Sequence, residues 1–275
     1  SGSIGYVLLK DKNSEKYILV MSDIHSNQPY CDSGIMNDDY LKISNTTYNN
    51  IILEEVSRRG VKLEPLWSDA LHTVKLKNYF LDNNSELSEN KKIIPIDIRP
   101  YLVPFSLDII DSNSIFGKIM AIDYINKLNE FFNLSGKYYD NIFKDCVEKV
   151  IIKNSGLGKN LQFIVNKFNK IKKRILEENK NMEYYNTNEK SFLDEISKLC
   201  DEIMEFSTIL RAFSSRDKSI IHAGLFHSHN MLEWLKNEYS FDIIYQNGLN
   251  DYKKFSSQKY NSCIKLPNEL FGLKE

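Results

Sequence analysis

Long apolar runs are missing from this chain. None approaches the roughly 18 residues that a membrane-spanning helix needs, so no membrane partner is expected. An excess of charge is missing too: 36 Lys and Arg against 37 Asp and Glu leave a formal charge of −1. That balance gives no electrostatic footprint for wrapping nucleic acid or holding an anionic surface, and no nucleic-acid partner is expected. Glycine and proline are few, 11 and 6 in 275 residues, which excludes collagen-like and linker-dominated chains. Cysteine is scarcer still. Cys31, Cys146, Cys200 and Cys263 stand far apart, with no CxxC pair and no framework of a small secreted domain. Reduced thiols in a cytosol-like compartment are the expectation. The opening Ser1-Gly2-Ser3 reads as a cloning remnant in place of a signal peptide.

What remains is an ordinary globular balance, 42% apolar and 27% charged, on a chain long enough to bury a sizeable core. Tyr6 to Leu9 and Tyr17 to Met21 flank a polar stretch and read as a strand pair closed by a turn. Short β-branched or aliphatic runs recur at Ile51 to Leu53, Ile93 to Ile96, Ser219 to Ile221 and Phe241 to Tyr245. Such runs suit strands buried on both faces, as in a parallel sheet covered by helices. Helical spacing marks Asp69 to Leu81 and dominates 114–213, where Ile164, Phe168, Ile171 and Ile175, then Phe192, Ile196, Leu199, Ile203, Phe206 and Leu210, keep the 3-or-4 step of a core-facing stripe. Asn154 to Gly158 reads as helix punctuation and Glu178 to Glu189 as a polar loop. The layout predicts a single α/β domain over residues 1–275, with a mostly parallel central sheet flanked by helices and a large helical insertion over 114–213.

In such a sheet, ligands bind beyond the carboxyl ends of the strands, where the loops converge. The polar residues of this chain gather there. The second strand runs into Asp23 and His25, the third into Glu54 and Glu55, the fourth into Asp97 and Arg99, and the fifth into His222, His227 and His229. Glu54 and Glu55 alternate across the strand end, so at most one of them points into the cleft while the other faces a helix or solvent, and geometry slightly favours Glu54. Asp97 and Arg99 share a face, which leaves an ion pair that orders the loop and a substrate clamp equally open. The helix expected near Ser228 offers its amides, with His227, to an oxyanion. Two chemistries fit. In one, a His/Glu pair activates water and Arg99 stabilises the oxyanion. In the other, His25, Glu54 and His227 ligate one divalent metal ion whose open position holds the water.

Taken in order, Ser22-Asp23-Ile24-His25, Leu53-Glu54, Asp97-Ile98-Arg99-Pro100 and Gly224-Leu225-Phe226-His227 resemble the motifs of a superfamily. It includes TraB-like proteins, haem-binding ChaN proteins, Tiki-type metalloproteases and erythromycin esterases. Those proteins share a GExH or GxxH after a strand, a Leu-Glu pair at the next strand end, an arginine segment and a late GxxH before a helix. The resemblance spans about residues 17 to 240. Its Ile94 to Leu102 and Ile220 to His227 stretches are more particularly similar to proteins of giant DNA viruses. It implies a hydrolase acting on a small molecule or peptide through His25, Glu54, Arg99 and His227, with Asp23, Glu55, Asp97, His222 and His229 in support. The cofactor implied is one divalent metal ion or haem, and the location the host cytoplasm or a virion. It also leaves room for a catalytically silent viral binding protein on the same scaffold. Ser22 and Asp23 depart from the family's Gly and Glu, which implies a different first loop and a shorter carboxylate reach. Asp23-Ile24-His25 is similar as well to the opening DxH of calcineurin-like metallophosphoesterases, but no GDxxD, GNHD or GHxH follows.

Overall fold

The computed structural model describes residues 3–24, 33–56, 92–97, 99, 126, 128–130, 132–133, 155–178, 190–214, 218–255 and 263–273. The chain divides into two compact units. The first comprises Ser1–Ser57, Trp67–Ile96 and Arg211–Glu275, and the second Arg58–Leu66 and Asp97–Leu210.

The expected strands all form, each a little longer than its apolar run: β1 Gly5–Asp11, β2 Tyr17–Asp23, β3 Asn50–Val56, β4 Lys92–Asp97, β5 Lys218–Gly224 and β6 Phe241–Gly248. They make one mixed sheet in the order β4-β3-β5-β2-β1-β6. β1 and β2 form the antiparallel pair expected of them, while β5 runs parallel to both β2 and β3. Because β1 is antiparallel to β2 and to β6, β6 runs in the same direction as β2. The carboxyl ends of β2, β3, β5 and β6 therefore share one edge.

Register fixes the faces, because paired residues share a face and neighbours along a strand alternate. Leu19, Met21, Ile51, Leu53 and Ile220 pack on one side against Ile43 of helix α1 (Ser33–Asn45) and against Leu266, Leu270 and Phe271 of the carboxyl-terminal segment. Val7, Val20, Ile52 and Ile221 lie on the other side, where Val7 and Leu232 of helix α4 (Leu225–Asn237) line a common cavity. β2 and β5 are buried along almost their whole length, as parallel strands covered on both faces must be. β6 is not. Only Phe241 is buried, and the remaining residues are exposed because the strand lies at the sheet's edge.

In the second unit, helix α2 (Ser155–Glu178) faces helix α3 (Lys190–Ser214) through Lys167–Glu202 at 2.5 Å and Arg174–Glu195 at 3.3 Å. One partner number rises as the other falls, so the two helices run antiparallel. Ile164, Phe168, Ile171, Leu199, Ile203, Phe206 and Leu210 are buried, as the stripe requires. Gly156 and Gly158 fall within the first turn of α2, and the residues before Ser155, which bear on their reading as punctuation, lie outside the described residues. The helix expected over Asp69 to Leu81 and the polar loop after Glu178 lie outside the described residues.

One correction concerns sulfur. Cys200 is a free, buried thiol, but Cys263 is disulfide-bonded and not reduced. Spacing along the chain does not limit which cysteines a fold brings together. The cytosol-like expectation loses the support it drew from reduced thiols; Cys31 and Cys146 lie outside the described residues.

Candidate functional site

β5 passes into α4 without a loop. Gly224 is the last strand residue and also the N-cap, with φ −58° and ψ 149°, and no side chain caps the helix. The helix thus begins three residues before the expected Ser228, which puts His227 in its first turn. Glu54, at the end of neighbouring β3, takes the place of a cap: its Oε2 accepts a hydrogen bond from the Gly224 amide at 2.7 Å. A carboxylate suits this position, because the first amides of a helix lack intrahelical acceptors and the helix dipole favours negative charge there.

The other oxygen of Glu54 meets His227. Nε2 lies 3.5 Å from Oε1, with the His227 and Glu54 side chains only 8% and 2% exposed. That distance exceeds the hydrogen-bond range. It matches a charge pair, and also two donors of one tetrahedral ion, which stand roughly 3.4 Å apart when each is about 2.1 Å from the metal. Among the described residues no group of three or more His, Cys, Asp or Glu is placed to hold a metal. His25, the third ligand of the metal reading, lies outside the described residues.

The remaining candidates are distributed as follows. Pleating puts Glu54 on the face of Ile52, over which α4 packs; the side chain of Glu55 is outside the described set. His222 and Asp23 are fully buried and share the opposite face with Met21 and Leu53. The sheet therefore separates them from the Glu54–His227 pair. His229 turns away from His227 toward Asp251, its Nδ1 lying 3.6 Å from Oδ1. Asp97, Arg99 and Asp201 form a cluster of their own in the second unit. The Arg99 Nε and Nη2 donate to the two oxygens of Asp97, and its Nη1 donates to Asp201, each at 2.9 Å. An ion pair between Asp97 and Arg99 is thus present. Beside it, burial pushes the Cys200 thiol up to about 12, which leaves it inert.

The sequence reading misses the Gly224 amide, whose signal is a glycine placed directly between a strand and a helix. It also passes over the aromatic neighbours of His227. The Phe226 ring meets the imidazole edge-on at 5.2 Å and meets Tyr252 edge-on at 5.2 Å. Set against protein-family models, curated proteins and solved structures, the chain matches none.

Proposed function

We propose that the chain is a hydrolase of the TraB/ChaN/Tiki-like type, using Glu54 and His227 at the carboxyl edge of the sheet to activate water against a small-molecule or peptide substrate. One observation carries the reading: a buried carboxylate and a buried imidazole stand 3.5 Å apart, and the carboxylate is fixed by a helix N-terminal amide. Buried ion pairs add little net stability. One at the carboxyl ends of parallel strands is where open α/β sheets place their chemistry.

Ionised Glu54 stabilises the imidazolium that forms when His227 takes a proton from water. The amide at Gly224 holds Glu54 still, which keeps the imidazole from losing its partner during transfer. In the metal form of the reading, Glu54 and His227 would hold a divalent ion together with His25, and such an ion would supply water of lowered pKa.

Glu54→Gln keeps an oxygen for the Gly224 amide and removes the charge, while His227→Gln removes the base at similar volume. Hydrolysis of a panel of carboxylic esters, phosphoesters and peptides should fall about 10²–10⁴-fold in either variant, with the thermal midpoint close to wild type. Undiminished turnover in both would place the chemistry elsewhere. Metal content measured alongside selects the route: a stoichiometric divalent ion lost on His227→Gln supports ligation, and none supports proton transfer alone.

A further inference from the structure

Two large aromatic side chains stand uncovered beside the buried pair. Phe226 is 41% exposed and Tyr252 47%, whereas the adjoining His227 is 6%. Both leave the same edge of the sheet. Phe226 lies in the first turn of α4 directly after β5, and Tyr252 opens a short 3-10 turn, Tyr252–Lys254, after β6. Since β5 and β6 run in the same direction, their carboxyl ends bring the two rings to the rim where Glu54 and His227 lie.

The turn that carries Tyr252 is anchored by hydrogen bonds. The backbone at Tyr252 is fixed by Asp251, whose carboxylate accepts from the Lys253 amide at 3.0 Å, and by the Phe255 amide donating to the Tyr252 carbonyl at 3.1 Å. Asp251 Oδ1 lies 3.6 Å from Nδ1 of His229 on α4. The rings of Phe226 and Tyr252 stand at 81° with centroids 5.2 Å apart. Single exposed aromatics are commonplace. A pair set as a corner, one wall of which touches a buried imidazole, is instead a built apolar surface next to polar groups, the composition of a ligand site. The corner selects for shape. A flat ring can stack on one wall while the edge of the other meets its face, which satisfies the quadrupoles of both; a saturated ring of equal size gains only area.

We infer that Phe226 and Tyr252 form a subsite for an aryl group of the substrate, so that the compounds cleaved carry an aromatic ring close to the carbonyl or phosphoryl centre. The inference rests on the hydrolase reading for the reaction, though the binding it claims does not require turnover.

The test has two arms. In the first, benzyl alcohol is titrated into the Glu54→Gln protein and followed by NMR, with Tyr252→Ala and Tyr252→Phe made in that background. Binding should weaken about tenfold on Tyr252→Ala and return with Tyr252→Phe; equal binding in all three proteins, or none in any, overturns the subsite. Phe226→Ala should weaken it likewise, but because Phe226 touches His227, Tyr252 is the deciding position. In the second arm, benzyl and cyclohexylmethyl esters of one acid are compared as substrates of the wild type. A KM several-fold lower for the benzyl ester, lost in Tyr252→Ala, supports the subsite, and turnover without that preference overturns it. If neither ester is cleaved while ring-dependent binding persists, the aryl site stands and the hydrolase reading falls.

Discussion

Asp39 shows how one buried carboxyl sets a pH dependence. It lies on α1, is 1% exposed, and its Oδ1 has no hydrogen-bond partner among the described residues. Burial raises its pKa to about 7 against the downward pull of Lys42, whose ammonium is engaged by Asp38 at 2.5 Å and by the Leu266 carbonyl at 2.6 Å. A raised carboxyl pKa means that the folded chain holds the proton more tightly than the unfolded one. The resulting stabilisation is complete below about pH 4 and is lost as pH rises through about 7. Asp39→Asn, which stays neutral, should therefore flatten this slope and stabilise the protein at pH 8 by on the order of 2 kcal/mol. Urea midpoints of both proteins at pH 5 and pH 8 provide the check: a wild type equally stable at both, with Asp39→Asn no better at pH 8, would show that Asp39 ionises without cost.

Among the elements of the first unit, which includes the last turn of α3 from Arg211 on, Lys16 joins that turn to the start of β2. Its ammonium donates to the Ala212 carbonyl at 3.2 Å and to the Phe213 carbonyl at 3.0 Å, and it lies 5.7 Å from the Phe213 ring centroid. The last carbonyls of a helix have no intrahelical donors, and a cation there also answers the negative end of the dipole. Lys16→Met keeps the apolar stem and removes the donor. The Ser219 hydroxyl, at 3.3 Å, still serves Ala212, so the loss is mainly at Phe213. A drop of about 2 kcal/mol is expected in urea unfolding, and an unchanged midpoint would mean that water replaces the ammonium at no cost. This contact also marks what could be read from sequence. The strands were legible because their apolar runs are short and uncharged, and α2 and α3 because their stripes hold period. That Glu54 shares the face of Ile52 follows from pleating alone. The exposure of β6 was not, since Phe241 to Tyr245 is as apolar as a central strand and only the sheet order puts it at the edge. The start of α4 is not legible in the sequence, because a carboxylate from β3, distant along the chain, stands in for a local cap.

For the molecule as a whole, that edge matters more than any single contact. β6 presents Ile243, Ile244 and Tyr245 at 38%, 43% and 62% exposure on the last strand of the sheet, in a chain whose net charge of −1 offers almost no repulsion between copies. Two features blunt the edge. The pairing shifts between Leu8 and Leu9, which face Tyr245 and Ile243, so Ile244 is an extra residue that bends the strand. Lys12 and Asp242, 3.1 Å apart, put a charge pair at one end. Neither places a charge within the apolar stretch itself, and a bulge disturbs the ladder for only a residue or two. Edge-to-edge association should therefore limit solubility near neutral pH. Ile244→Lys, at the unpaired bulge position, adds charge where no ladder bond or core contact is lost, so it should raise the concentration at which light scattering departs from monomer several-fold. Its unfolding free energy should stay within about 0.5 kcal/mol of wild type. Scattering that is identical for the two proteins would show that the bulge alone protects the edge, and a large loss of stability would show that Ile244 packs more deeply than its exposure indicates.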